Sequence, residues 1–231
     1  MVVAALLLAI AVLVPVNLLL NRYAPRWYPV VVLGGCAALA LLYRWTGLPW
    51  SAAGLAPGAA RRALPWALLL VGLVAAGCLA GALVPATRPL LTDTRAAGLR
   101  PGEVAYQVLA RIPLGTVLLE ELAFRGVLYG LLWHLSGPAG ATLASAALFG
   151  LWHVLPAAAT AEHNPAVGRA FAGRAALLVA ATVLGTGLAG VLLGELCRRT
   201  GSLLTPFALH WAVNGLGYLT AFLLGRHRYR R

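Results

Sequence analysis

The sequence predicts an all-α polytopic membrane helix bundle of about seven transmembrane helices. Three observations predict it. Of the 231 residues, 61% are hydrophobic and only 10% are charged, whereas a soluble domain carries about 25% charged residues. The apolar residues fall into runs of about 20, the length that crosses a bilayer core as a helix. Aromatic residues and arginines gather at the ends of these runs, where a membrane interface accepts them. No loop is long enough to hold a separate fold, so the chain reads as one integral membrane unit.

Span 1 runs from about Val2 to Leu20. It has no early basic residue and is longer than the apolar core of a signal peptide, so it reads as a retained helix. Asn21, Arg22, Pro25 and Arg26 close it. Span 2, about Tyr28 to Trp45, is flanked by Trp27, Tyr43 and Trp50. A loop rich in Gly and Pro follows, with Arg61 and Arg62. Span 3, about Leu64 to Val84, carries Gly77 and Gly81 at a spacing that favours close helix packing.

Pro85 to Glu103 is the most polar stretch and reads as a loop or a short interfacial helix. No ionisable residue lies deep in a span before it. Residues 1–103 therefore read as a packing and anchoring unit, and residues 104–231 as the working unit. Span 4, about Ile112 to Trp133, carries Glu120, Glu121 and Arg125, with Gly126 and Gly130 after them. Span 5, about Ala139 to Ala158, carries Phe149 and His153. Span 6, about Ala176 to Leu196, carries Gly190 and Gly194. Span 7, about Leu203 to Leu224, carries His210 and Asn214, and a basic tail from Arg226 to Arg231 ends the chain.

The formal net charge is +12, from eighteen arginines and no lysine. These arginines lie in loops and in the tail, which points to membrane orientation and not to nucleic acid. Arg44, Arg61, Arg62, Arg198 and Arg199 fall on one side; the other loop arginines fall with the C-terminus, which places it in the cytoplasm. The arginine-only, Ala- and Leu-rich composition suggests a GC-rich bacterial genome and so the bacterial cell membrane. Cys36, Cys78 and Cys197 are odd in number and irregular in spacing, and read as small buried hydrophobes, neither disulfide nor zinc ligands.

The buried polar residues carry the chemistry. Six acidic residues serve the whole chain, and two of them, Glu120 and Glu121, are adjacent inside an apolar run. A carboxylate at bilayer depth costs about 2.5–3.5 kcal/mol on insertion scales. Arg125 lies one helical turn after Glu121 and can pair with it. Glu120 points elsewhere, without a local partner. His210 and Asn214 share a helix face at α-helical spacing. A carboxylate or an imidazole can take a proton from water. Two imidazoles and a carboxylate, His153 and His210 with Glu120 or Glu121, can also hold a zinc ion. An amide can donate to a developing oxyanion. The set suits amide hydrolysis by water, because Ser145 and Cys197 are poorly placed as nucleophiles. Trp152 and Trp211 read as packing or interfacial aromatics, and His134, His163 and His227 as solvated or interfacial.

The motifs Glu120-Glu121-x-x-x-Arg125, Phe149-x-x-x-His153 and His210-x-x-x-Asn214 resemble those of the CPBP family of intramembrane proteases. This group holds the Rce1-like CAAX prenyl endopeptidases and bacteriocin-processing relatives, also called the ABI family. The glycine-rich stretch from Gly190 to Ser202 resembles the helix and turn before the family's last motif. The resemblance covers about residues 110–220 and implies an endopeptidase acting on a membrane-associated peptide or protein. It implies that Glu120 and His153 activate water, that His210 and Asn214 steady the oxyanion, and that Glu121 and Arg125 brace the site, with Phe149 in support. Both a zinc and a metal-free mechanism fit these residues. Two other classes fit a buried Glu and His set: a proton-coupled transporter, which would favour an internal repeat that is absent here, and a catalytically silent scaffold. The sequence is silent on oligomeric state.

Overall fold

Residues 1–23 and 25–229 are described in the structure, a computed structural model. Arg230 and Arg231 of the basic tail, and the side chains of His227, Arg228 and Tyr229, lie outside the described residues. Among the described residues every regular element is helical. One isolated antiparallel bridge joins Leu55 to Ser202.

Helix α1 (Val2–Leu18) continues into a wider π turn, Leu19–Tyr23. Helix α2 (Tyr28–Trp45) packs beside it, with Ala5, Ala9, Leu13 and Val16 meeting Val32, Cys36 and Leu39 in one apolar core. Helix α3 (Ala59–Leu83) buries only Ala59, Ala63 and Ala67. Its leucines are exposed, as a lipid-facing helix requires. A Cβ at Gly77 would meet nothing, and one at Gly81 the side chains of Leu91 and Thr87. The expected backbone-to-backbone contact at Gly77 and Gly81 is therefore absent among the described residues: Gly81 packs against the Thr87 and Leu91 side chains, and a cavity separates this part of α3 from α9.

Helix α4 (residues 101–136) and helix α5 (residues 138–152) form a hairpin. Gly137 turns it, with φ 71° and ψ −177°, a conformation that a side chain would strain. Pro138 follows and restarts the helix. The contacts nest around that turn. Tyr129 meets Thr142 at 3.5 Å, the Ser145 hydroxyl donates to the Phe124 carbonyl at 2.5 Å, and the Phe124 and Phe149 rings stand 5.2 Å apart. The arms are therefore antiparallel. Inside α4 the stretches Gln107–Val117 and Glu121–Leu128 are π-helical, a widening often found at functional sites.

Helix α6 (Val154–His163) follows a break at His153, and the whole run bends there by 44°. A short helix α7 (Pro165–Ala170) leads to α8 (Ala175–Thr200) and α9 (Leu204–Arg226). A Cβ at Gly190 would lie 3.0 Å from the Ala146 Cα, so α8 and α5 approach backbone to backbone as the glycine spacing predicts. The Leu203 N–H donates to the Gly54 carbonyl at 2.9 Å, which ties the loop after α2 to the start of α9.

Five helices are long and apolar enough to cross a membrane: α1 with its π turn, α2, α3, α8 and α9. The bent run from Pro101 to His163 makes a sixth candidate. The count is therefore five, or six with the bent run, against an expected count of about seven. The chain is an integral membrane protein with an all-α polytopic bundle.

Candidate active site

Two arms and one further helix deliver the polar side chains. Glu120, Glu121 and Arg125 come from α4, Phe149 and His153 from the end of α5, and His210 from α9. Glu121 is 1% exposed, Arg125 2% and Glu120 6%. Such burial of charge is tolerated only with partners; each residue has at least one, while Glu120 Oε2, Glu121 Oε2 and Arg125 Nη2 are left without a hydrogen bond among the described residues.

Glu121 and Arg125 pair as their spacing predicts, Nη1 to Oε1 at 3.3 Å. The Arg125 guanidinium also lies over the Phe149 ring, 3.9 Å from its centroid, where the ring face attracts a cation. Phe149 holds His153 in turn. Its carbonyl lies 2.8 Å from His153 Nδ1, and the two rings stand edge to face at 4.6 Å. A carbonyl only accepts, so Nδ1 carries the proton and the neutral ring presents a bare Nε2. His210 is held by a carboxylate. Its Nδ1 lies 2.7 Å from Glu121 Oε1, the carboxylate that also takes Arg125.

The Nε2 atoms of both rings turn toward Glu120. Oε2 of Glu120 stands 4.0 Å from His153 Nε2 and 3.8 Å from His210 Nε2. These distances exceed a direct hydrogen bond and suit a water between the groups. Glu120 Oε2 has no hydrogen-bond partner among the described residues. Its other oxygen, Oε1, accepts from the Trp152 indole N–H at 3.0 Å.

The sequence-predicted residues Glu120, Glu121, Arg125, Phe149, His153 and His210 thus meet in one buried cluster. Asn214 does not join it: among the described residues no hydrogen bond links it to the carboxylates or imidazoles. The π turn Ala212–Leu216 contains it. Trp152, read from sequence as a packing aromatic, is a direct partner of Glu120; its place next to His153 was the available signal. Trp211 donates its indole N–H to the Val108 carbonyl at 2.8 Å, which ties α9 to α4. Ser145 and Cys197 are buried and face the Phe124 and Arg125 carbonyls, away from any nucleophilic role.

Zinc was the one cofactor that the sequence admitted. Ligands at about 2.0–2.1 Å around a tetrahedral ion stand roughly 3.4 Å from one another, closer than the His–Glu separations here. Among the described residues no three His, Cys, Asp or Glu side chains are grouped to hold one ion. As packed, the residues do not fit zinc, and no step below depends on it.

A cavity of about 480 Å³ reaches Glu121 between the Gly54–Ala56 loop, Leu118, Leu122 and Phe207. Another of about 810 Å³ lies between α3 and α9 and contains none of the cluster.

Residues 103–216 match the family model described as type II CAAX prenyl endopeptidase Rce1-like. The chain carries an Rce1-like domain. The match begins near the start of α4 and ends in the π turn of α9, so it spans every arm that contributes to the cluster. Helices α1 to α3 lie outside the Rce1-like domain. The Rce1-like family is a protease family of the CAAX type. No curated protein and no solved structure is similar enough to match.

Proposed function

We propose that this chain is an intramembrane endopeptidase that hydrolyses a peptide bond of a membrane-associated protein or peptide with an activated water. One observation carries the reading: Glu120 Oε2, without a partner, converges with the Nε2 atoms of His153 and His210 at 4.0 and 3.8 Å. Membership of the Rce1-like family supports it.

A water held there gives its proton to Glu120 or His153 as its oxygen bonds to the substrate carbonyl carbon. The carbonyl electron pair moves onto the oxygen. His210, carrying both ring protons between Glu120 and Glu121, donates from Nε2 to that oxyanion. The Asn214 amide, one turn along α9, is the second donor once substrate is seated. When the intermediate collapses, the C–N bond breaks and the proton held by Glu120 or His153 passes to the leaving amine. Glu121 and Arg125 keep His210 in register throughout. The apolar cavity beside Glu121 gives a hydrophobic substrate segment a place to lie. The arginine distribution supports a cytoplasmic C-terminus in a bacterial cell membrane.

The test uses the full chain in lipid nanodiscs with an internally quenched farnesylated CAAX peptide, in heavy-oxygen water. The expected product carries one heavy oxygen in its new carboxylate. Glu120→Gln should lower the rate by about a thousandfold, in the range for loss of a general base. Cleavage by Glu120→Gln at the wild-type rate would overturn the mechanism. Tight peptide binding without any product would favour the scaffold reading.

A further inference from the structure

Glu120 has two oxygens with different surroundings. Oε2 faces the imidazoles, and Oε1 is held by the Trp152 indole at 3.0 Å. Trp152 is 7% exposed, and its ring stands edge to face with Phe124 at 5.7 Å. The indole therefore has little freedom, and where its main chain sits decides where Oε1 sits.

That main chain lies at the helix break. His153 has φ −87° and ψ 3°, outside the helical range, and α6 starts after it. A helical carbonyl bonds the N–H four residues on. For Trp152 that residue is Pro156, which has no N–H. The Trp152 carbonyl is thus orphaned inside an apolar bundle, where an unmet polar group is costly.

Asn17 of α1 meets it. The Asn17 Nδ2 donates to the Trp152 carbonyl at 2.9 Å, across a separation of 135 residues. The orientation of this amide is itself fixed. Asn21 donates to Asn17 Oδ1 at 2.5 Å, so the oxygen end is occupied and the nitrogen end faces Trp152. Asn17 lies outside the Rce1-like region of residues 103–216. It is the polar link between the first helix and the cluster.

We infer that Asn17 and Trp152 are positioning residues for Glu120: Asn17 fixes the Trp152 main chain at the break, and the Trp152 indole pins Oε1 so that Oε2 faces the imidazoles. The inference deepens the protease reading and rests on it for its functional meaning. The geometry itself can be read without any turnover. Helix α1 is then part of the working site and more than an anchor.

Two measurements separate the inference from the protease reading. The first is the indole N–H spectrum of the full chain, labelled with ¹⁵N-tryptophan in nanodiscs. Trp152→Phe identifies the Trp152 signal by its loss. That signal should move in Glu120→Gln, where the acceptor loses its charge, and in Asn17→Leu, where the main-chain anchor is gone. A Trp152 signal unmoved by either variant overturns the inference, whatever the enzyme does. The second measurement is turnover of the farnesylated peptide. Trp152→Phe and Asn17→Leu should each lower kcat by about tenfold or more, the size expected for one hydrogen bond to a charged group. KM should change by less than about twofold. A raised KM alone, with kcat kept, overturns the positioning role. No turnover by wild type with a responsive Trp152 signal would count against the protease reading and leave the pinned geometry standing. Asn17→Leu leaves the Trp152 indole and its aromatic packing in place, so it serves if Trp152→Phe does not fold.

Discussion

His210 Nδ1 lies 2.7 Å from Glu121 Oε1, the same oxygen that takes Arg125 at 3.3 Å. One carboxylate thus joins two helices. It neutralises the guanidinium on its own helix and aims the imidazole on the other. Glu120, its neighbour in sequence, faces a different set: Trp152, His153 and the far side of His210. Two adjacent acids divide the tasks of bracing and chemistry because successive helical residues point about 100° apart.

Breaking the brace should unfold the site. Arg125 and Glu121 are almost fully buried, and removing one partner of such a pair costs about 3–5 kcal/mol. Glu121→Ala and Arg125→Ala should each lose about that much stability, measured by reversible unfolding in mixed micelles. The double variant should lose less than the sum, since it leaves no lone charge behind. Additive losses would show that the two residues act separately.

The packing of α8 should be as sensitive as the polar cluster. A Cβ at Gly190 would stand 3.0 Å from the Ala146 Cα and 3.3 Å from the Phe149 ring. Gly190→Val should cost about 1–3 kcal/mol from overpacking. It should also disturb Phe149, whose carbonyl fixes the His153 tautomer. Peptide cleavage should therefore fall more than stability does. Gly77→Val, in open space on α3, should change neither by more than about 0.5 kcal/mol. Equal effects at the two glycines would contradict this account of which helix faces are in contact.

The metal question has a direct readout. With His–Glu separations of 3.8 and 4.0 Å, we expect purified protein to carry no stoichiometric zinc by mass spectrometry, and chelation to leave peptide cleavage intact. Zinc at one ion per chain, lost in a His153→Ala/His210→Ala variant, would mean that the side chains close in by roughly half an ångström on binding.

Much of this site was legible because burial makes polar residues conspicuous. Glu120, Glu121 and Arg125 stand out in an apolar run, as do His153 and His210 in theirs. What stayed hidden has a physical reason in each case. The Trp152 bond to Glu120 depends on how two arms stack, and an indole on an apolar face looks the same whether its N–H is used or not. The Asn17 bond goes to a main-chain carbonyl, which leaves no mark of its own in sequence. The π turn at Asn214 inserts into a helix whose composition is ordinary. Gly77 and Gly81 carry the right spacing, yet spacing does not say whether another helix lies opposite.

Pro156 offers the sharpest test of the link to α1. It removes the N–H that would otherwise bond the Trp152 carbonyl, so Asn17 is needed there. Pro156→Ala returns a local donor. In that background the carbonyl has a choice of partners, and Asn17→Leu should cost little. In the wild-type background the same Asn17→Leu change should cost about 1 kcal/mol or more of stability, the penalty for a buried carbonyl left without a donor. The two substitutions should therefore be coupled, with an interaction energy of about 0.5 kcal/mol or more in an unfolding cycle. Strict additivity would mean that the carbonyl finds another partner when Asn17 is lost, and that α1 holds the break by packing alone.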